Sequence, residues 1–322
     1  MRYKNIIIIN YKERCVNMNI KRLFLVLVLA GTLLFSACSG GTSNEVSSTA
    51  AFIGGTNGIS VSFEPFSVIE DGVYTIYDDE DFPIEVVVTN LGEHTVEAGD
   101  IRLGLLGPSQ DSFSNIPDWE KSNTGSIEEI SDYNPSGGEE IISFTPSSYA
   151  VYNDGVIGYT NVNWNLNYDY DYSTYLIIDD VCFKGDVTDE RVCEVQEYKA
   201  YSVSGAPITI TSVEEDTGGK GVIVLTIDIS NSGSGESTII GEEFDDRFSQ
   251  VSFEIEDPED WECTSGSREN QARLVDGAAQ IRCKLKEPLS EDDIYSKSVM
   301  LTVSYTYQDL ITETLRIKES AD

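Results

Sequence analysis

Cysteine is the residue type in this sequence with the clearest capacity for covalent chemistry. Two of the six cysteines, Cys15 and Cys38, lie near the N-terminus. The other four lie in the second half of the chain: Cys182, Cys193, Cys263 and Cys283. These four form no Cys-x-x-Cys pair, and their spacing does not fit a zinc site. In an exported chain an even number indicates disulfides, and sequence proximity favours Cys182–Cys193 and Cys263–Cys283.

The single histidine limits the catalytic arrangements that the chain can build. His94 follows the turn Asn90-Leu91-Gly92 and is expected in a solvated loop. A Ser-His-Asp triad would have to use it, yet the sequence has no Gly-x-Ser-x-Gly motif. A zinc-hydrolase motif needs a second histidine, and no glycine-rich motif precedes a predicted helix to hold phosphate. The sequence therefore predicts a protein that is not an enzyme and needs no organic cofactor.

Carboxylates are the side chains that could bind a cation. Asp78, Asp79 and Asp81 share one acidic segment, and Asp179-Asp180 form another. Calcium requires six to eight oxygen ligands, and neither segment has the spacing of an EF-hand. Both segments are candidate calcium sites, with a solvated acidic loop as the alternative. With 56 acidic residues in the chain, a pair facing each other across a cleft would not by itself indicate a glycosidase.

An alternating aromatic segment is the candidate for ligand binding. Between Asn161 and Tyr172, asparagine and aspartate alternate with apolar and aromatic residues, as on the two faces of a strand. An exposed aromatic face could bind a sugar or a partner through Trp164, Tyr168 and Tyr170. A strand whose aromatic face lies in a core has the same pattern, which Trp164 favours. Asp171 to Thr174 are expected to turn the chain into the next strand.

The N-terminus has the layout of an export signal. Lys21-Arg22 precede thirteen uncharged residues, Leu23 to Phe35, and small residues follow at Ser36-Ala37. The run is short for a membrane span. Residues 1–37 are therefore predicted to be a signal segment. Met18 is a natural start, because Glu13 and Arg14 interrupt the sequence before it.

The end of this signal resembles the lipobox of bacterial and archaeal lipoproteins. The resemblance is carried by Leu34-Phe35-Ser36-Ala37-Cys38, although Phe35 stands where that family usually has an aliphatic residue. It implies cleavage before Cys38 and acylation of its thiol, which would hold the protein on the extracellular face of the cell membrane. An ordinary signal peptide and an uncleaved anchor are the alternatives. Residues 38–56, rich in Gly, Ser and Thr, are expected to be a flexible tether.

The charge of the chain limits the classes of partner that it is expected to bind. The net charge is −35, and residues 1–37 carry six Lys or Arg and one Glu, so the remainder carries −40. Nucleic acid requires a positive surface and is excluded as an expected partner. Such acidity is consistent with solubility or with adaptation to high salt, where charge repulsion is screened, and calcium binding is the third interpretation.

The periodicity after residue 56 predicts an all-β chain. Alternation with a period of two is frequent, and helical periodicity is rare. Two predicted strands end in Asn-x-Gly, at Asn90-Leu91-Gly92 and Asn231-Ser232-Gly233, which suggests two diverged copies of one β-module. We expect two immunoglobulin-like β-sandwich domains, 57–203 and 204–322. In the second, Gln308-Asp309 are expected to join two strands as a hairpin.

These strand-to-turn segments resemble immunoglobulin-like modules of the CARDB type, which are named for adhesion modules of bacterial and archaeal surface proteins. The resemblance is carried by Val86-Val87-Val88-Thr89-Asn90-Leu91-Gly92 and by Leu225-Thr226-Ile227-Asp228-Ile229-Ser230-Asn231-Ser232-Gly233. The whole chain also looks like two-domain surface lipoproteins of small-genome archaea. The resemblance implies a β-sandwich with a surface role and carries over no catalytic residue.

The expected function is that of a non-enzymatic surface lipoprotein in adhesion, envelope structure or protein interaction. Its expected partners are the membrane, through the lipid, and a protein or surface polymer. The alternative is a ligand-binding or carbohydrate-binding lipoprotein that uses the aromatic face from Trp164 to Tyr172.

Overall fold

The computed structural model describes residues 51–189, 191–195, 198–245 and 247–321. The predicted signal segment, Cys38 and most of the predicted tether lie outside these residues. Ala50–Asp322 form one compact unit. The unit is built of strands, with one short 3-10 helix at Gln110–Ser112, which confirms the predicted all-β class. In the described part of the chain, no helix is long and apolar enough to cross a membrane.

The described residues form 21 strands. In chain order they are β1 (Ile59–Phe63), β2 (Val68–Glu70), β3 (Val73–Tyr77), β4 (Asp81–Phe82), β5 (Glu85–Asn90), β6 (Ile101–Gly107), β7 (Phe113–Ser114), β8 (Glu120–Ser122), β9 (Glu139–Ser143), β10 (Ala150–Tyr152), β11 (Tyr159–Lys184), β12 (Tyr201–Val203), β13 (Ile208–Gly219), β14 (Val222–Asn231), β15 (Glu236–Thr238), β16 (Ser249–Ile255), β17 (Trp261–Ser265), β18 (Arg268–Glu269), β19 (Gln271–Leu274), β20 (Ala278–Leu285) and β21 (Ile294–Lys318).

Two strands, β11 and β21, are much longer than the others, with 26 and 25 residues. They pair antiparallel along nearly their whole length, from Tyr159 opposite Lys318 to Lys184 opposite Ile294. The predicted turn at Asp171 to Thr174 and the predicted hairpin at Gln308-Asp309 are therefore wrong. Neither strand contains Gly or Pro, so nothing in the backbone forces a turn where polar residues cluster.

The strand order supports a duplication. Strands β1, β5 and β9 form one antiparallel sheet, and β13, β14 and β20 pair in the same order in a second sheet. The first pairing begins with Ile59 opposite Asn90 and the second with Ile208 opposite Asn231. In each copy the amide of that asparagine donates to a glycine carbonyl at the start of the third strand, at 2.9 and 2.7 Å. The two copies thus share the same pairing next to their asparagines, and the register of the second copy shifts after Ile210.

The long strands relate the two copies by an approximate twofold axis. Tyr170 lies opposite Tyr307, and Tyr172 lies opposite Tyr305. A twofold rotation between these pairs exchanges β11 with β21 and Tyr172 with Tyr307. Each copy contributes one long strand to a shared ten-stranded sheet. Residues 57–203 and 204–322 both lie in the one compact unit and are named the first and the second lobe.

Both expected disulfides are present. Cys182–Cys193 closes a loop after β11, and Cys263–Cys283 joins facing positions of β17 and β20. The cysteines are separated by 11 and 20 residues. Closing loops of this size in the unfolded chain stabilises the folded state by roughly 3 kcal/mol each in the chain-entropy description.

Candidate functional site

The aromatic face of β11 lies inside the protein. Trp164 is 0% exposed and packs against Phe66, Phe82 and Phe113, with ring centroids 5.0 to 6.0 Å apart. Tyr168 and Tyr170 are also buried. The expected alternative of an exposed aromatic platform is therefore corrected, because these rings build the core of the first lobe and of the lobe junction.

The opposite face of β11 carries a polar ladder across to β21. Thr312 donates to Asn165 at 2.8 Å, and Thr314 donates to Asn163 at 3.0 Å. Further along the strand, Arg102 forms ion pairs with Asp169 and Asp171. The strict alternation in the sequence thus reports one buried and one solvent-facing side of a strand.

The two Asn-x-Gly segments perform the same structural task in each lobe. The Tyr172 hydroxyl donates to Oδ1 of Asn90, and the Tyr307 hydroxyl donates to Oδ1 of Asn231, at 3.0 and 3.1 Å. The same oxygens accept the amides of Gly92 and Gly233. A Cβ on either glycine would lie 2.2 Å from the tyrosine oxygen, so the hydroxyl fits only beside glycine.

His94 is part of this junction. Its backbone amide donates to the Tyr172 hydroxyl at 3.3 Å, and its Nδ1 lies 2.8 Å from the Tyr175 hydroxyl. The ring packs against Tyr172 with centroids 5.0 Å apart. Burial lowers the pKa of His94, and neighbouring carboxylates such as Glu129 oppose that shift. The expectation of a solvated loop histidine is wrong, because the loop folds onto the tyrosines of β11.

Glu93 clamps two distant segments of backbone. Its carboxylate accepts the amides of Ile53, Gly54 and Gly205 at 2.7, 2.8 and 2.7 Å. Phe52 stacks on Tyr175 with centroids 6.4 Å apart. Phe52, Ile53 and Gly54 belong to the last part of the predicted tether, and the Glu93 carboxylate holds the amides of Ile53 and Gly54 against the junction.

The predicted calcium residues serve other contacts. Oxygens of Asp78 accept the amides of Ser320 and Val156, and the hydrogen bonds from Ser320 lower its pKa. Asp180 accepts the Ser296 hydroxyl at 3.2 Å. Asp79, Asp81 and Asp179 are not drawn into a common site. In residues 51–321, apart from the gaps given above, no three His, Cys, Asp or Glu side chains are grouped to hold a metal ion.

The second lobe contains a cavity of about 520 Å³ with an aromatic wall. Phe183 and Tyr295 face each other across β11 and β21, and their rings stack at 4.9 Å. Trp261 packs edge-on against Phe183 with centroids 6.1 Å apart. The apolar part of the lining also includes Leu285, Pro288, Leu289 and Val299.

The rim of this cavity is acidic. Six carboxylates line it: Glu256, Asp257, Glu259, Asp260, Glu287 and Asp293. Its two lysines already have partners, since Lys297 pairs with Asp257 at 2.7 Å and Lys286 donates to the carbonyl of Pro258 at 2.9 Å. Burial, together with Asp293, raises the pKa of Tyr295. An aromatic wall under an acidic rim suits a positively charged ligand with a flat apolar body.

Sequence reasoning missed this cavity because its lining comes from separate segments of the chain. The signal that could have pointed to it is the acidic segment 256–260 directly before Trp261. No protein-family model matches the chain, and no curated protein matches it either.

Proposed function

We propose that the chain is an exported, non-enzymatic surface protein that is held by a lipid on Cys38 and binds a protein partner. The observation that carries this proposal is the pair of closed disulfides, Cys182–Cys193 and Cys263–Cys283. Disulfides persist in oxidising compartments, and this agrees with the export signal before Cys38. The two lobes are proposed to be immunoglobulin-like modules of the CARDB type.

The polar groups at the junction support a binding role over a catalytic one. The ring of His94 contacts two tyrosines, and the carboxylate of Glu93 is saturated by backbone amides. A general base must reach the proton that it removes from a substrate. Here both side chains instead hold parts of the fold together.

The anchor is tested by mass spectrometry of the mature N-terminus, after expression from Met18 in a bacterial host that processes lipoproteins. We expect the first residue to be Cys38 with an acyl mass, and the protein to enter the detergent phase on phase separation. The matched variant Cys38→Ser should remain in the aqueous phase with both disulfides closed. An unmodified Cys38, or cleavage at another position, would refute the anchor.

A second candidate function is the binding of a small ligand, now at the cavity of the second lobe rather than on the aromatic face of β11. The stacked rings of Phe183 and Tyr295 beneath carboxylates favour a ligand whose ring carries a positively charged group, such as an amino sugar. Its experiment is given in the Discussion.

A further inference from the structure

One stretch of β21 has no pairing strand on one of its two sides among the described residues. On this edge, β15 pairs with Thr306 to Gln308, and β3 pairs with Leu315 to Lys318. Between them, Asp309–Thr314 pair only with β11 on the other side, as far as the described residues extend. Six residues of extended chain span about 20 Å, which is room for one short strand.

The equivalent stretch of β11 is covered by a strand. The twofold relation that exchanges Tyr172 with Tyr307 also matches Tyr175 with Leu310 and Asp179 with Thr314. Strand β12 pairs with β11 between those two positions. Backbone hydrogen bonds extend the pairing at both ends. The amide of Ser204 donates to the carbonyl of Tyr175 at 2.9 Å, and the amide of Asp179 donates to the carbonyl of Ala200 at 3.0 Å. One copy of this edge is therefore covered and the other is open.

Carboxylates cap the open edge in place of a strand. The amide of Leu310 donates to Oδ1 of Asp309 at 2.8 Å, and the amide of Thr314 donates to Oε1 of Glu313 at 3.0 Å. Each cap comes from the residue directly before the amide, so a side-chain rotation can release it. The Leu310 side chain is 50% exposed. The edge is thus shielded locally while its backbone stays reachable from solvent.

The described residues before β1 do not cover this edge. The residues before β13 form β12, whereas the matching residues before β1 include Ile53 and Gly54, which Glu93 holds at the junction. The counterpart of Glu93 in the second copy is Ser234, which follows Gly233 as Glu93 follows Gly92. The Ser234 hydroxyl donates to Asp309, at the start of the open edge. The sequence difference between Glu93 and Ser234 accompanies the difference between the two edges.

The charge around this edge selects the partner. Asp309 and Glu313 lie on one face of β21 because they are four residues apart, and Ile311 lies between them. Glu236 of β15, opposite Gln308, adds a carboxylate next to this edge on the other face of the sheet. A strongly acidic chain attracts basic segments and repels acidic ones. An added strand would therefore place an apolar residue opposite Ile311 and a basic residue on each side of it.

We propose that Asp309–Thr314 of β21 binds an extended segment of a basic partner protein as an added β-strand, with lysine or arginine facing Asp309 and Glu313. This names the partner class for the interaction role and rests on that proposed function. The main-chain hydrogen bonds supply the affinity of such a strand, and the side-chain positions supply its specificity.

The test uses the full-length chain in detergent and a blocked peptide with the sequence Lys-Thr-Val-Thr-Lys, which spans Asp309 to Glu313. Hydrogen exchange should show slower exchange at Leu310, Thr312 and Thr314 when the peptide is bound. Calorimetric affinity should fall as salt is raised. A peptide with glutamate in place of lysine should not bind.

Two variants separate the charges from the backbone. The double variant Asp309→Asn with Glu313→Gln keeps the side-chain shapes and an oxygen for each amide cap. It should lower the affinity for the peptide about tenfold. Thr312→Pro removes a donor on the open edge, where proline is tolerated, and it should abolish binding. The matched control, Glu262→Gln on the exposed face of β17, should bind as the unchanged chain does.

Equal binding of the glutamate peptide, or slower exchange at β1 or β9 instead of β21, would overturn the inference. Unchanged binding to a Thr312→Pro variant of native melting temperature would also overturn it. The peptide measurement does not involve Cys38, so its failure leaves the surface anchor standing. Conversely, an absent lipid would leave a positive peptide result intact.

Discussion

Tyr172 and Tyr307 are equivalent residues in the two lobes of one chain. Each hydroxyl donates to the asparagine that ends a strand, Asn90 or Asn231, and each accepts an amide four residues after that asparagine. The side-chain amides of the two asparagines close the same loops by donating to the carbonyls of His94 and Gly235. The tyrosines therefore join the long strands to the start of a loop in both copies.

Replacing either tyrosine with phenylalanine should destabilise the protein. Tyr172→Phe and Tyr307→Phe each leave an asparagine oxygen and a loop amide with one partner fewer, which costs about 1–3 kcal/mol. Urea unfolding measures the change. Tyr133→Phe, on a fully exposed side chain, is the matched control and should have no effect. Unchanged stability in both junction variants would mean that the hydroxyls do not hold the loops.

The Glu93 clamp should hold its backbone partners less tightly when one carboxylate oxygen is replaced by an NH2 group, which is a donor. Glu93→Gln retains the shape but cannot accept at both positions, so at least one of the amides of Ile53, Gly54 and Gly205 loses its acceptor. We expect a loss of about 1–3 kcal/mol and faster hydrogen exchange at Ile53 and Gly54. The exposed Glu97→Gln is the control. Exchange that stays as slow as before would contradict the clamp.

The half-buried His94 should make the free energy of unfolding depend on pH. Burial holds the pKa of His94 below its ordinary value of 6.5, so the unfolded chain binds this proton more tightly than the folded one. The stabilisation is complete above pH 6.5 and is lost as the pH falls towards the folded pKa. Urea unfolding between pH 7.5 and pH 5 should show this decrease. His94→Gln should flatten it, and an equal slope in the variant would refute the assignment to His94.

The cavity of the second lobe should bind a positively charged sugar more tightly than a neutral one. Glucosamine should bind and N-acetylglucosamine should not, because acetylation removes the charge that the acidic rim attracts. Tyr295→Ala should lower the affinity for glucosamine about two- to fivefold, because it removes one ring of the aromatic wall. Calorimetry measures both, with Tyr133→Ala as the control. Equal affinity for the two sugars would exclude a cation site.

The class of fold and the disulfides could be predicted because they depend on local patterns. Period-two alternation marks a strand with two unlike faces, and cysteines that are close in sequence have little chain between them to keep them apart. The Asn-x-Gly segments also indicated the duplication, because each ends a predicted strand that follows shortly after an earlier one.

The long strands and the cavity depend on partners that sequence spacing does not reveal. Gln308 and Asp309 have the composition of a turn, but β11 pairs with them in unbroken register. The aromatic face of β11 fits a platform or a core equally well until Phe66 and Phe82 are seen against Trp164. Phe183, Trp261 and Tyr295 converge only because β11, β17 and β21 end near one another.

The duplication also bears on how asymmetry can arise. A homodimer of identical subunits must carry the same residue at both related positions, so a strand edge that is open in one subunit is open in the other. Joining both copies in one polypeptide removes that constraint, and each half can change alone. Glu93 and Ser234 are such a pair of unlike residues at related positions. A fused dimer can thus keep one half as scaffold while the other specialises.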